Sequence, residues 1–246
     1  MPTHRRVPFV ALLTLLQRRF PGLEDPAQLI KDGAVLVNGL PAANPGSRVR
    51  ADAAIRIRHP RPLRGTIKLA HALTAFGVHA AGLVVLDLGA AAGGFTQALL
   101  EAGADRVYAV DAGRGQLRGW LRADSRVINL ERTNLARLDR RLIGEPVDLL
   151  TMDLSYLAVA DAIGQVDRRI LAPAAQLIAL VKPTFELHSG QLADRPEQVA
   201  AAAEAAAGAL ADHGWRVLGR EPSPVLGARG AVEVFVHAVS LQAEES

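Results

Sequence analysis

From residue 83 to residue 239, apolar segments rich in valine, isoleucine and leucine recur with helical stretches between most of them. This alternation constrains the fold more than any other feature of the chain. The segments are LVVLDL (83–88), RVYAVDA (106–112), RVINL (126–130), PVDLLTMDL (146–154), AQLIALVKP (175–183), WRVLGR (215–220) and AVEVFVHAV (231–239). Strands that are apolar on both faces belong in a sheet covered on both sides, so the expected fold is α/β: a doubly wound, mostly parallel, seven-stranded Rossmann-like sheet. Ligands of such sheets sit at the carboxyl ends of the strands, near the point where the strand order reverses.

A smaller unit precedes the alternation. Residues 7–19 carry apolar side chains at helical spacing, Asp25-Pro26 opens a second short helix in DPAQLIKDG, and AVLVNG and AAIRIRHP read as strands, with Asn38-Gly39 making a hairpin turn. The proline-containing basic stretch HPRPLRG suits a linker, which gives an α+β domain over residues 1–62 and the α/β domain over 63–246. Net charge is only +3, yet residues 1–70 hold 12 Lys or Arg against 4 Asp or Glu, a balance of +8 that suits a polyanionic partner. The apolar run after Arg5 and Arg6 is interrupted by Gln17, Arg18 and Arg19 and has no small-residue cleavage site, so it reads as a helix rather than a secretory signal. No run reaches the roughly 18 to 20 apolar residues of a membrane span. With no cysteine there is neither a disulfide framework nor a thiolate metal site, and the expected compartment is the cytoplasm. The seven histidines, His71 and His188 among them, show no metal-ligand spacing, so no metal is expected. The alanine-rich stretch PEQVAAAAEAAAGALADHG reads as a surface helix ended by Gly214.

VVLDLGAAAGGFTQALL (84–100) passes from a buried strand through a glycine- and alanine-rich turn into a helix. Gly89, Gly93 and Gly94 do not match GxGxxG, and no Lys-Ser/Thr pair closes the loop as in a phosphate-binding P-loop. The next strand ends in Asp111, whose carboxylate can accept bonds from two ribose hydroxyls, a geometry that serves NAD and S-adenosylmethionine alike. Asp87 beside the loop repels a pyrophosphate but tolerates a cationic amino group or sulfonium, which favours S-adenosylmethionine.

Four charged residues fall at or near strand and helix ends: Lys68 in the first turn of GTIKLAHALTAFG, Asp153 in LLTMDLSYL, Lys182 in LIALVKPTFEL and Glu233 inside AVEVFVHAV. Such groups are costly unless paired. Gathered around one cleft, alternating lysines and carboxylates form a device for methyl transfer to an alcohol: a neutral lysine amine takes the hydroxyl proton while the two reactants are held in line.

The motifs LDLGAAAGGFTQALL, VYAVDAGRGQL, LERTN, MDLSYL, LVKPTFE and AVEVFVH resemble those of the TlyA/haemolysin A family, ribosomal RNA ribose 2'-O-methyltransferases related to FtsJ, over essentially the whole chain. The resemblance implies an S4-type RNA-binding domain ahead of a methyltransferase domain, a Lys-Asp-Lys-Glu tetrad at Lys68, Asp153, Lys182 and Glu233 with Lys182 as base, and ribosomal RNA or a ribosomal subunit as partner. The donor site it implies comprises Asp87, Gly89, Ala90, Gly93, Gly94, Phe95 and Asp111, with Asn134 near the adenine. The family's early basic pairs are replaced here by RRVPFVALL and GLEDPAQLIKDG, which shifts the expected RNA contacts to Arg48, Arg50, Arg56, Arg58, Arg61 and Arg64. Near-alternate spacing sets several of these on one face of a strand. Three other readings stand beside it: a non-catalytic RNA-binding or ribosome-assembly factor, motivated by the altered small domain; an NAD oxidoreductase, disfavoured by the glycine spacing; and a pore-forming haemolysin, which the family's older name suggests but for which the chain has no suitable membrane segment.

Overall fold

The computed structural model describes residues 7–23, 25–57, 62–187 and 195–241. The chain divides into two compact units, residues 1–61 with 118–120 and residues 62–117 with 121–246.

The small unit runs β1 (Phe9–Ala11), α1 (Leu12–Arg19), α2 (Pro26–Lys31), β2 (Val35–Val37), β3 (Leu40–Ala42), β4 (Arg48–Arg50) and β5 (Ile55–Ile57). β1 pairs antiparallel with β4, and β3-β2-β5 form a second antiparallel sheet. The hairpin expected at Asn38-Gly39 is present, with both residues at positive φ (50° and 88°) between Val37 and its partner Leu40. Asp25 caps α2 by accepting from the Gln28 amide at 3.0 Å, and Pro26 occupies the first helical position, where its missing N–H costs nothing. Leu12, Leu16, Ile30 and Val35 are fully buried at the centre of this unit. The expected helix over 7–19 is shorter than its apolar spacing suggested. Residues 9–11 are extended because their backbone finds a ladder with Arg48–Arg50, a partner about 39 residues away that periodicity cannot register, and Pro8 biases Val7 away from helical geometry.

The rest of the chain contains α3 (Arg64–Phe76), β6 (Val84–Leu88), α4 (Gly94–Glu101), β7 (Arg106–Asp111), α5 (Gly119–Ala123), β8 (Val127–Glu131), α6 (Arg140–Ile143), β9 (Val147–Met152), α7 (Val159–Ile163), β10 (Leu171–Val181), α8 (Pro183–Glu186), α9 (Pro196–Asp212), β11 (Trp215–Pro222) and β12 (Val234–Ser240). Its seven strands form one sheet in the order β11-β12-β10-β9-β6-β7-β8, with only β12 antiparallel to its neighbours β10 and β11. Leu86, Leu150, Leu177 and Val181 are fully buried in the strands, and the alanine-rich α9 lays Ala202, Ala206 and Leu210 against the same core at helical spacing. As expected, α9 stops just before Gly214, which takes φ 75°.

The strand order reverses between β6 and β9, so the loops after β6, β7, β9 and β10 all open at one edge of the sheet. Two placements differ from the expected ones. Glu233 precedes β12 rather than lying inside it, and α3 begins one residue earlier than expected, at Arg64, which makes Lys68 its fifth residue.

Candidate active site

The turn after β6 is built around contacts within the protein. Gly89 has φ 86°, and a Cβ there would lie 2.5 Å from the Asp153 carbonyl oxygen, so glycine lets the ends of β6 and β9 close on each other. The Asp153 amide completes this join by donating to the Leu88 carbonyl at 2.9 Å. A Cβ on Gly94 would stand 2.8 Å from the Gly65 Cα, which makes this glycine pair the close-packing point of α3 on α4. The Gly89 and Ala90 amides both donate to the Val110 carbonyl, fixing the turn against β7. Phe95 is buried, its ring 6.2 Å from that of Phe235, so this candidate donor contact turns its side chain into the core.

Asp87 is fully buried beneath the turn, where Thr96 Oγ1 donates to one carboxylate oxygen at 2.7 Å and Thr151 Oγ1 to the other at 3.0 Å. Burial pushes its carboxyl up to about 6, against the opposing pull of the two threonine hydroxyls. Asp87 thereby ties the start of α4 to β9. The sequence had marked Asp87 but neither threonine, although a threonine nine residues after an acidic strand end is the available signal.

Asp111 ends β7 with one oxygen 2.9 Å from the Ala91 amide and the other 2.6 Å from the Gly113 amide. Each oxygen keeps a further acceptor position, and two are what a vicinal ribose diol requires. At the tip of β8, Glu131 accepts from the Gln116 and Leu117 amides at 2.7 and 3.2 Å. Burial raises its carboxyl, but the Gly115, Leu117 and Gln116 amides outweigh that and hold it below the usual range. It organises the loop after β7, and an acidic strand end within LERTN is the signal that sequence reasoning passed over. Asn134 caps the short turn Leu135–Arg137 through the Ala136 amide at 3.3 Å, a weak bond that leaves its amide nitrogen available. Tyr156 is half exposed; partial burial and then the negative charge of Asp111 hold its phenol above the usual range.

Beyond the turn, Lys68, Asp153, Lys182 and Glu233 all line one cleft of about 510 Å³, together with Ser155, Phe185, Ala228 and Arg229. The two lysines are each paired. Lys68 Nζ bonds Glu233 Oε2, both groups being buried, while Lys182 Nζ lies 2.6 Å from Asp153 Oδ1, 2.9 Å from the Leu154 carbonyl and 3.2 Å from Ser155 Oγ. A Cβ on Gly227 would stand 2.6 Å from the Glu233 Cδ, so this glycine makes room for the carboxylate that meets Lys68. Ser155, Gly227 and Arg229 escaped the sequence reading; for Ser155 the available clue is its position two residues beyond Asp153.

The candidate RNA-binding arginines divide. Arg48 and Arg50 are exposed on either side of Val49 in β4, the expected alternate placement, whereas Arg56 is exposed on β5 in the other small sheet. Arg50 also forms a 2.8 Å exposed ion pair with Asp52. Arg64 opens α3 four residues before Lys68, on the same helical face. Arg58 and Arg61 lie outside the described residues, as does His188.

No group of three or more His, Cys, Asp or Glu that could hold a metal occurs among the described residues, and none of their helices is long and apolar enough to cross a membrane. The donor set at the strand tips, a carboxylate with two spare acceptor positions beside the start of α4, fits S-adenosylmethionine.

Comparison with known proteins agrees with this geometry. Residues 62–239 match the FtsJ-like methyltransferase family. The 16S/23S rRNA (cytidine-2'-O)-methyltransferase TlyA of Mycobacterium tuberculosis is 38% identical over 226 residues, covering 87% of this chain and 82% of that protein. A Streptococcus thermophilus structure carrying the name hemolysin superposes with a TM-score of 0.70 at 27% identity, over 96% of this chain and 90% of that one. An S-adenosylmethionine-dependent methyltransferase of Aquifex aeolicus shares the fold, with a TM-score of 0.51 at 20% identity over 73% of this chain and 94% of its own. The strand order, the two-pair cleft and these likenesses converge: the chain belongs to the FtsJ-like methyltransferase family, among its TlyA-type members.

Proposed function

We propose that this protein methylates a ribose 2'-hydroxyl of ribosomal RNA in the cytoplasm, using S-adenosylmethionine. The observation that carries the proposal is the convergence of the Lys68–Glu233 and Lys182–Asp153 pairs on one cleft beside the glycine turn. The name of the Mycobacterium tuberculosis relative extends it to a cytidine ribose. Asp111 would hold the donor's ribose diol, Asn134 its adenine, and the Gly94 amide at the start of α4 its amino-acid end, with Gly89, Ala90 and Gly93 shaping the turn through their bonds to Val110 and within the turn and Asp87 supporting it from below. When bound, S-adenosylmethionine supplies a methyl group already activated by its sulfonium.

The work of the chain is then placement and proton transfer. Lys182 Nζ, in its uncharged form, receives the proton of the 2'-hydroxyl, and Asp153 together with the Leu154 carbonyl fixes the direction of its lone pair. Ser155 Oγ is the most distant of the three Lys182 partners and exposed, so it is the partner that an incoming hydroxyl can replace. Lys68, neutralised by Glu233, presents the remaining donor hydrogens toward the acceptor oxygen. The small unit reads as an S4-type RNA-binding domain over residues 1–62, with Arg48, Arg50 and Arg56 as phosphate contacts; the methyltransferase domain occupies 63–246, with Arg64 on α3 as a further phosphate contact of its own.

Mapping ribose methylation on ribosomal RNA from cells with and without this protein tests the proposal. At least one 2'-O-methyl mark should vanish with the protein and return when the purified chain and S-adenosylmethionine are added; an unchanged map would refute the function.

A further inference from the structure

The cleft carries one more cation than the two pairs use. Three cationic side chains line it, Lys68, Lys182 and Arg229, against two carboxylates, Asp153 and Glu233. Each lysine is taken by one carboxylate. Arg229 is exposed, and no acidic partner meets its guanidinium among the described residues. Its backbone is held at φ 56°, ψ 22°, a left-handed conformation that costs a long side chain free energy and persists only where surrounding structure imposes it. The imposing structure is a tight loop. The Gly227 amide donates to the Ala231 carbonyl at 2.7 Å, the Ala231 amide donates to the Ala228 carbonyl at 3.1 Å, and Gly227 abuts the Glu233 carboxylate. The loop that projects Arg229 is thus the one that seats Glu233 against Lys68.

We infer that Arg229 binds the phosphodiester of the acceptor nucleotide and so sets its ribose against Lys182, an assignment that rests on the ribose methylation proposed above. In an RNA chain the carbon next to the 2'-hydroxyl carries a phosphodiester, so a ribose presented to Lys182 brings an anion to the cleft wall. An unpaired guanidinium matches that anion in charge and in its two-pronged donor geometry. The exposed arginines of the small unit supply general attraction for RNA, whereas Arg229 stands among the reacting groups and acts on the position of one nucleotide.

The test uses the full-length protein, ribosomal subunits lacking the methyl mark, and the variants Arg229→Gly and Arg229→Lys. Glycine suits the left-handed backbone better than arginine, so Arg229→Gly removes the guanidinium while relieving the loop. It should raise KM for the RNA by on the order of tenfold or more and lower kcat as well, because the ribose is no longer set against Lys182. Donor affinity by calorimetry should be unchanged, and the slope of log affinity for RNA against log salt should flatten by about 0.7 to 0.9. Arg229→Lys should recover part of the KM. If Arg229→Gly leaves both KM and the salt slope at parental values, the assignment is wrong. Should the parent itself transfer no methyl group to any subunit, the functional reading fails, and the salt slope of direct RNA binding still decides the role of Arg229.

Discussion

Asp87→Asn is the substitution whose effect the structure specifies most closely. The carboxyl is fully buried and its pKa moves from 3.8 to about 6, which corresponds to about 3 kcal/mol. The sign follows from proton counting. Below pH 4 the group is protonated in both the folded and unfolded states. Between pH 4 and 6 the unfolded chain releases the proton first, so the folded state binds more protons and stability falls as pH rises; above 6 the full penalty of about 3 kcal/mol persists. Asparagine keeps the shape, accepts from one threonine hydroxyl through Oδ1 and donates through Nδ2 to the other once that hydroxyl turns round, and has nothing to titrate. Urea unfolding of parent and variant at several pH values between 4 and 7 reads this term, because titrating groups remote from Asp87 cancel in the difference and the nearby charge of Asp153 adds only a smaller contribution. The variant should gain about 3 kcal/mol relative to the parent from pH 4 to pH 7, a midpoint displacement of about 1 M urea. A difference that stays flat with pH, or that falls as pH rises, would refute the account of a buried, charge-penalised carboxylate under the turn.

Two glycine substitutions probe the architecture from other sides. Gly89→Ala forces a side chain into a left-handed backbone and against the Asp153 carbonyl, and should cost about 2 to 4 kcal/mol by thermal or urea unfolding; a loss below about 1 kcal/mol would contradict the tight join of β6 and β9. Gly227→Ala meets no backbone strain at φ −71° but must push the Glu233 carboxyl off Lys68, so methyl transfer should fall at least tenfold with donor binding kept, and parental activity would show that the pair does not depend on that space.

Much of this site was legible in the sequence because its residues sit where local pattern changes. Asp153 and Lys182 follow directly on the apolar strands β9 and β10, and Asp111 ends β7, so the strand pattern alone carried them to the same edge of the sheet. Asn38-Gly39 and Asp25-Pro26 were readable for the same reason: their turn and cap chemistry is local. Features made by distant pairing were not. β1 exists only through β4; Glu233 leaves its strand because the Gly227 loop claims the preceding backbone; and Asp87 faces two threonines, one of them 64 residues away on β9. The glycines of the turn are donor-site positions by resemblance alone, while the atoms they approach most closely belong to the chain itself, Asp153 at Gly89 and Gly65 at Gly94. Arg229 left no trace in any local pattern, since its significance is the charge balance of a cleft assembled from four separate segments.

The central claim, that Lys182 takes the proton of a ribose hydroxyl inside this cleft, is tested most directly by Lys182→Ala. Methyl transfer from S-adenosylmethionine to ribosomal RNA and donor binding by calorimetry are measured on the same preparation. Transfer should drop by about 10² to 10⁴-fold while the donor binds as it does to the parent. Full transfer by the variant would mean that the proton leaves by another route and that the paired lysine serves structure alone.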